Sequence, residues 1–237
     1  MQIASWNGTI PIYVISFNRL EWLKPLTDRL AVIPKTKIII VDNASTYGPL
    51  VEWLADCPYE VVRLKTNAGH RSPWTEKVIL SPNDHLRAYG SDYYAVTDPD
   101  LEFSDVPDDL IDRCIEGLTL CPGAVKCGPA LRLDDLPSVE ESAVQMELIR
   151  RIESNYWTRM LKPPFFAAPI DTTFAVYSIR TPHDAAMRPA AGVRIAGPYA
   201  VRHLGWYLRK GEPLSDELRY YFEHAHGSAS SRPEKTT

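Results

Sequence analysis

Lys37-Ile38-Ile39-Ile40-Val41 runs straight into Asp42-Asn43-Ala44-Ser45. Four consecutive β-branched side chains with no polar alternation mark a strand covered on both faces, which is the habit of parallel sheets. The polar turn that ends the run sets the strand's carboxyl terminus. Upstream, residues 10–16 (IPIYVIS) form a second short apolar strand. Downstream, residues 59–64 (YEVVRL) and 92–97 (DYYAVT) supply two more. Helical segments separate them. Asn18 three residues ahead of Glu21 reads as a helix start, and Leu20, Leu23, Leu26 and Leu30 make its apolar stripe. Pro49 suits the first turn of a helix through Ala55, and 74–80 and 84–89 read as short helices. Strands alternating with helices at such intervals imply right-handed βαβ units and a largely parallel sheet. In open sheets of this kind ligands bind beyond the carboxyl ends of the strands. The polar ends at 16–18, 42–43, 65–67 and 98–100 therefore belong to one edge.

The second half is less regular. Helices are expected at 107–118 and 142–152, strands at 124–133, 174–179 and 193–199, and a last helix at 215–226. Between them lies an aromatic and proline-rich loop with Tyr156, Trp157, Pro163, Pro164, Phe165 and Phe166. The expected organisation is one catalytic domain over 1–226 and a polar, disordered tail at 227–237.

Composition excludes several classes. At 45% hydrophobic and 24% charged the chain is an ordinary globular one. A net charge of −4 without a basic stripe argues against a nucleic-acid partner. Cys57, Cys114, Cys121 and Cys127 form no Cys-x-x-Cys pair and have no histidine at zinc-finger spacing, so reduced thiols in a cytoplasmic protein are the expectation. No apolar run reaches the roughly 18 residues of a membrane span.

Asp98-Pro99-Asp100 directly follows the fourth strand. Two carboxylates two positions apart on an extended segment point to the same side and can share one hard divalent cation, which commonly brings a diphosphate with it. The same tripeptide is ordinary turn chemistry, as are Asp42 and Asn67 after their strands. Neither a P-loop nor Gly-x-Gly-x-x-Gly is present, so phosphates need another counterion.

Taken in order, IPIYVISFNR, IIIVDNAS, LKTNAGHR and YYAVTDPDLEF resemble the GT-A glycosyltransferases, close to family 2, over residues 10–103. The resemblance implies a Rossmann-like, mixed and mainly parallel α/β sheet flanked by helices. Residues 10–103 would bind the nucleotide-sugar and a smaller acceptor-side region would cover 104–226. It implies that Ser16, Asn18 and Arg19 wall the base and ribose, that Asp42 contacts the nucleobase, and that Asn67 and Arg71 lie near ribose and diphosphate. Asp98 and Asp100 would match the family's Asp-x-Asp (DXD) motif, holding Mn2+ or Mg2+ on the diphosphate, with His203 as a further ligand. Asp171 would match the catalytic base of inverting members, although Ile170 stands where an acidic residue usually precedes it. His203 also reads as a strand-end histidine and Asp171 as a helix cap or strand-end residue. Trp157, Trp206 and Tyr207 are candidates for the acceptor site, since sugars present apolar faces to flat rings; aromatics are equally core material.

The function these readings imply is metal-dependent transfer of a sugar, of the hexosyltransferase type, from a nucleoside-diphosphate sugar. UDP-sugars are the expected donors because the family uses them most. The acceptor is the hydroxyl of a glycan, a lipid-linked molecule or a small molecule. Alternatives are a retaining enzyme without a base, a nucleotidyltransferase, which would need a Gly-rich first loop, and a non-catalytic nucleotide- or glycan-binding protein.

Overall fold

The computed structural model describes residues 7–171, 173–189, 192–225 and 233. Apart from Pro233, the tail expected to be disordered lies outside them. The chain runs β1 (Ile10–Ser16), α1 (Leu20–Ala31), β2 (Thr36–Asp42), α2 (Gly48–Asp56), β3 (Glu60–Arg63), α3 (Ser72–Thr75), α4 (Pro82–Tyr89), β4 (Tyr93–Thr97) and β5 (Leu101–Glu102). It continues through α5 (Leu110–Leu120), β6 (Lys126–Pro129), α6 (Met146–Ser154), β7 (Met160–Lys162), β8 (Phe165–Ala167) and β9 (Ala175–Ser178). Then come α7 (His183–Ala186), β10 (Gly192–Ile195), β11 (Arg202–His203) and α8 (Asp216–His224).

Nine strands form one sheet in the order β3-β2-β1-β4-β9-β6-β10-β8-β7. Parallel pairing joins β1 to β2 and β4, β2 to β3, and β6 to β10, while β8 and β9 run against their neighbours. The carboxyl ends of β1, β2, β3, β4, β6 and β10 consequently lie along one edge. The expected mixed, mainly parallel sheet is what forms. Its order reverses from β1 toward β4, the switch point at which such sheets bind ligands.

Both faces of the sheet are covered, as the run at Ile38–Val41 requires. Ile12, Val14, Ile38 and Ile40 pack with Leu23, Leu26 and Leu30 of α1, Leu50 of α2, and Leu110, Ile111, Cys114 and Ile115 of α5. Tyr13, Ile15, Ile39, Val41, Tyr94 and Val96 join Trp74, Ile79 and Tyr177 on the opposite face. Pro11 is tolerated inside β1 because the β1–β4 pairing begins only at Ile12↔Ala95. α5 lies close on the sheet because Gly117 has no side chain; a Cβ there would come within 2.4 Å of Cys127 Sγ.

Several boundaries depart from the sequence reading. The helix expected over 74–80 stops at Thr75, and Lys77 takes a positive φ of 55°. The strand expected over 124–133 spans only 126–129, closing at Pro129, with Leu131 retaining one bridge to Val201. The helix expected from 142 begins at Met146, because Ser142 instead bridges Arg209 and its hydroxyl binds the Val144 backbone. Asn18 does not cap α1. It takes a left-handed conformation at φ 52°, and its Oδ1 accepts from the backbone N–H groups of Thr46 and Tyr47. The first N–H groups of α1, on Leu20 and Glu21, donate instead to the carboxylate of Glu217 in α8, at 2.7 and 2.9 Å. A side chain nearly two hundred residues away thus supplies the cap that a helix N-terminus needs.

All four cysteines are free thiols. Among the described residues no helix is long and apolar enough to cross a membrane.

Candidate active site

The two-stranded ladder of β5 and β11 organises the site. Leu101 pairs with His203 and Glu102 with Arg202, and the Leu204 N–H donates to the Asp100 carbonyl at 2.8 Å. Asp100 and His203, a hundred residues apart in sequence, are thereby set side by side at the carboxyl edge. Asp100 is 4% exposed. Its Oδ2 accepts from Arg19 Nη1 at 2.7 Å and lies 3.7 Å from His203 Nε2. Burial alone would raise the Asp100 carboxyl; His203 and Arg19 outweigh it and hold the group below its usual range. The imidazole of His203 stacks on Trp206 with centroids 4.8 Å apart. Arg19 is sandwiched in turn, its guanidinium 4.3 Å from the Tyr221 ring of α8 and 5.6 Å from Trp22. α8 therefore both caps α1 and covers the arginine that meets Asp100.

The β1 and β2 ends are stitched together beside this group. Ser16 and Asp42 are completely buried. The Asn43 N–H donates to the Ser16 carbonyl, the Asn18 N–H to Ser45 Oγ, and the Ser45 N–H to the Asp42 carboxylate. Burial raises the Asp42 carboxyl despite Ser45 and Arg63, whose Nε lies 3.5 Å away. Asn43 Oδ1 reaches the third loop, accepting from the Ala68 N–H at 3.2 Å. Within that loop Asn67 Oδ1 accepts from the Gly69 N–H, a local turn, and Arg71 is exposed. Asn43 was passed over in the sequence as a turn residue; its tie to residue 68 depends on the loops meeting in space.

Asp171 is exposed, at the entry to β9. The residue before it, Ile170, is buried, and its carbonyl accepts from Lys126 Nζ at 3.0 Å. Lys126 is 2% exposed and faces the Tyr177 ring at 5.4 Å. Burial pushes its ammonium down to about 8, with Asp171 opposing the shift and Arg71 adding to it. Burial likewise lowers the His70 imidazole, again opposed by Asp171 and aided by Arg71. Nothing in the sequence pattern distinguished Lys126 from an ordinary surface lysine.

The three aromatic candidates part company. Trp206 is buried beneath His203, and Tyr207 donates its hydroxyl to Asp135 at 2.6 Å. Trp157, propped edge-on by Phe166 at 5.4 Å, lines a cavity of about 730 Å3 together with Asp105, Arg132, Asp134, Ser154 and Ala200.

Six side-chain atoms buried at this edge have no protein partner: Ser16 Oγ, Asn18 Nδ2, Arg19 Nε, Asp100 Oδ1, His203 Nδ1 and Trp206 Nε1. Buried polar atoms are nearly always satisfied by protein or by water, and these six together offer donors and acceptors that a polar ligand can meet. Asp100 Oδ1 and the His203 imidazole are donors of the kind a divalent cation takes, and Asp98, half-buried two residues before Asp100, is a third. Among the described residues, however, no three His, Cys, Asp or Glu side chains are gathered into a finished metal cage. Arg19 is the cation that Asp100 meets here.

No protein-family model matches the chain, and no curated protein matches it. Among solved structures it is similar to the mannosyltransferase PcManGT from Pyrobaculum calidifontis in complex with GDP-Man and Mn2+, at 15% identity and a TM-score of 0.48, over 91% of this chain and 60% of that one. The chain thus spans about three fifths of the length of that enzyme. It is also similar to a 4-diphosphocytidyl-2C-methyl-D-erythritol synthase, at 10% identity and a TM-score of 0.42, over 92% of this chain and 99% of the other. A third likeness is to the same kind of synthase from Anaerococcus prevotii DSM 20548, at 11% identity and a TM-score of 0.41, over 96% and 93%. The likenesses are distant, and the site's chemistry is argued from its own residues.

Proposed function

We propose that this chain is a GT-A-type glycosyltransferase that moves a sugar from a nucleoside-diphosphate sugar, with UDP-sugars first among the donors, to an acceptor hydroxyl. The observation that carries the reading is the buried, partly unsatisfied group of Asp100, Arg19 and His203 at the switch point of the sheet. An anionic, hydrogen-bonding ligand would satisfy Ser16, Asn18 and Arg19, and the β1 and β2 ends with Asp42 form the wall for its base and ribose. Asp98, Asp100 and His203 would hold Mn2+ or Mg2+. Such a cation neutralises the charge that develops on the leaving diphosphate.

The remaining work falls to side chains. Arg19, fixed by Asp100 and two aromatic rings, offers its unpartnered Nε toward phosphate oxygens. Asn67 and Arg71 border the ribose and diphosphate. Asp171 takes the proton from the attacking hydroxyl, for which it must come within about 2.6–3.2 Å of that oxygen, directly or through one water. Displacement then proceeds in line, inverting the anomeric centre. Lys126 holds the peptide that precedes Asp171. Of the acceptor candidates, Trp157 is the one with access to a cavity; Trp206 serves His203 and Tyr207 serves Asp135.

The test is nucleoside-diphosphate release from a panel of sugar nucleotides by the wild type, Asp100→Asn and Asp171→Asn. The reading expects turnover in the wild type. It expects loss of turnover and of metal-dependent donor binding in Asp100→Asn. Asp171→Asn should lose rate with donor affinity retained. Full turnover in Asp100→Asn refutes the assignment. An unchanged rate constant in Asp171→Asn leaves a retaining mechanism, which the anomeric proton signal of fresh product identifies.

A further inference from the structure

We infer that the 730 Å3 cavity lined by Trp157, Asp105 and Arg132 is a saccharide subsite selective for neutral or amino sugars over uronic acids. This inference rests on the glycosyltransferase reading and names its acceptor class. Position comes first. Asp105 follows β5 and Ala200 precedes β11, so the cavity opens at the end of the β5–β11 ladder away from Asp100 and His203. Arg132 and Asp134 follow β6 at the same edge, while Ser154 and Trp157 come from the end of α6 and the turn after it. A molecule seated here lies at the same carboxyl edge of the sheet as the Asp100 group, where one end of an extended acceptor can rest.

The lining is that of a sugar site. Trp157 is half-buried and braced by Phe166, so a rigid flat ring is presented at little entropic cost. Asp105 is exposed and has no hydrogen bond or ion pair among the described residues. A carboxylate accepts only, and two adjacent sugar hydroxyls can both donate to it.

Charge supplies the selectivity. Two guanidinium groups stand near the cavity, and both are already committed. Arg132 is paired with Asp134 at 3.3 Å and Asp135 at 3.7 Å, and Arg202 with Glu102 at 2.7 Å and Asp135 at 2.6 Å. A narrow cleft joining Asp105, Glu102, Arg132 and Arg202 connects the groups. Four carboxylates thus face two guanidinium groups, an excess of two negative charges, and Asp105 is the carboxylate without an ion-pair partner among the described residues. A uronate would add a like charge with no free cation to receive it, whereas a sugar ammonium would gain one partner.

Saturation-transfer NMR on the full chain tests this. The probes are methyl glycosides of glucose, galactose and mannose, with glucosamine, glucuronate and galacturonate, each in the presence of UDP or GDP with Mn2+. At least one neutral or amino sugar should bind and both uronates should not. Trp157→Ala should weaken that sugar about tenfold or more while nucleotide binding stays unchanged. Asp105→Asn should reduce any preference for glucosamine and strengthen the glucuronate signal relative to wild type, a gain that misfolding cannot produce. Nucleotide binding without any sugar signal overturns the subsite and leaves the transferase reading standing, as does equal binding of uronates or indifference to Trp157→Ala. Failure of both nucleotide and sugars to bind overturns the two together.

Discussion

Lys126→Met should change the pH dependence of stability in a direction fixed by burial. The Lys126 ammonium is 2% exposed, has one hydrogen bond at 3.0 Å to the Ile170 carbonyl, and faces the Tyr177 ring. Its proton affinity falls from 10.5 to about 8, so at pH 7 the folded chain still carries the charge but holds the proton less tightly than the unfolded chain does. At 1.36 kcal/mol per unit, the charged form is penalised by about 3 kcal/mol in the folded chain relative to the unfolded one. Between the folded value near 8 and the unfolded value near 10.5, the unfolded chain binds more protons than the folded one. Stability from this group therefore rises with pH across that window and is absent below it. Integrated from pH 7 to 9.5, the wild type should gain about 2 kcal/mol relative to Lys126→Met. At pH 7 the variant loses a charged hydrogen bond worth ~1.5–3 kcal/mol but escapes the burial cost, so the two chains should be close in stability. At pH 9.5 the variant should be clearly the less stable. Urea denaturation of both at the two pH values checks this; other titrating groups cancel in the difference. A difference that stays constant within about 0.5 kcal/mol refutes the claim that Lys126 is charged and poorly solvated at neutral pH.

Two further perturbations probe the architecture around Asp100. Arg19→Met removes the cation from a buried carboxylate and should lower stability by about 3–5 kcal/mol in denaturant titrations; a loss under about 1 kcal/mol would mean that solvent or His203 compensates Asp100 unaided. Glu217→Ala leaves the first two N–H groups of α1 without acceptors, at about 1–3 kcal/mol each. Its melting temperature should fall by roughly 4–24 °C, given about 2–4 °C per kcal/mol for a domain of this size, and an unchanged melting temperature would deny α8 its structural role.

The sheet was legible where local pattern and tertiary environment agree. β1 matches the expected 10–16, and β2 extends the run at 37–41 by one residue at each end. The carboxyl edge followed, because strands covered on both faces leave polar residues only at their ends. Ser16, Asn18, Asp42 and Asp100 are all buried there, while Asn67 and Arg71 lie in the more open third loop. What escaped notice depends on partners distant in sequence. The pattern at Asn18 and Glu21 resembles a capping box, yet Asn18 serves residues 46 and 47, and Glu21 accepts from the Ser215 hydroxyl. Glu217 looks like a solvated helix residue and Lys126 like a strand-edge charge until the fold buries them. The three aromatics could not be told apart by composition, because Trp206 and Tyr207 are claimed by His203 and Asp135 only once β11 has paired with β5. The aspartates at 98 and 100 were found for their spacing. That Arg19 holds one of them depends on the fold, which brings residues 81 positions apart together.

Nucleotide binding is the most direct test of the central claim. Melting temperatures of the full chain would be recorded with UDP, GDP, CDP and dTDP, each with and without Mn2+. A nucleotide at about 100 times its dissociation constant adds roughly 2.7 kcal/mol, a shift of several degrees. At least one nucleotide should give such a shift, enlarged by Mn2+ and lost in Asp100→Asn. No shift with any nucleotide at millimolar concentration would contradict it and leave Asp98-Pro99-Asp100 a turn with a buried ion pair.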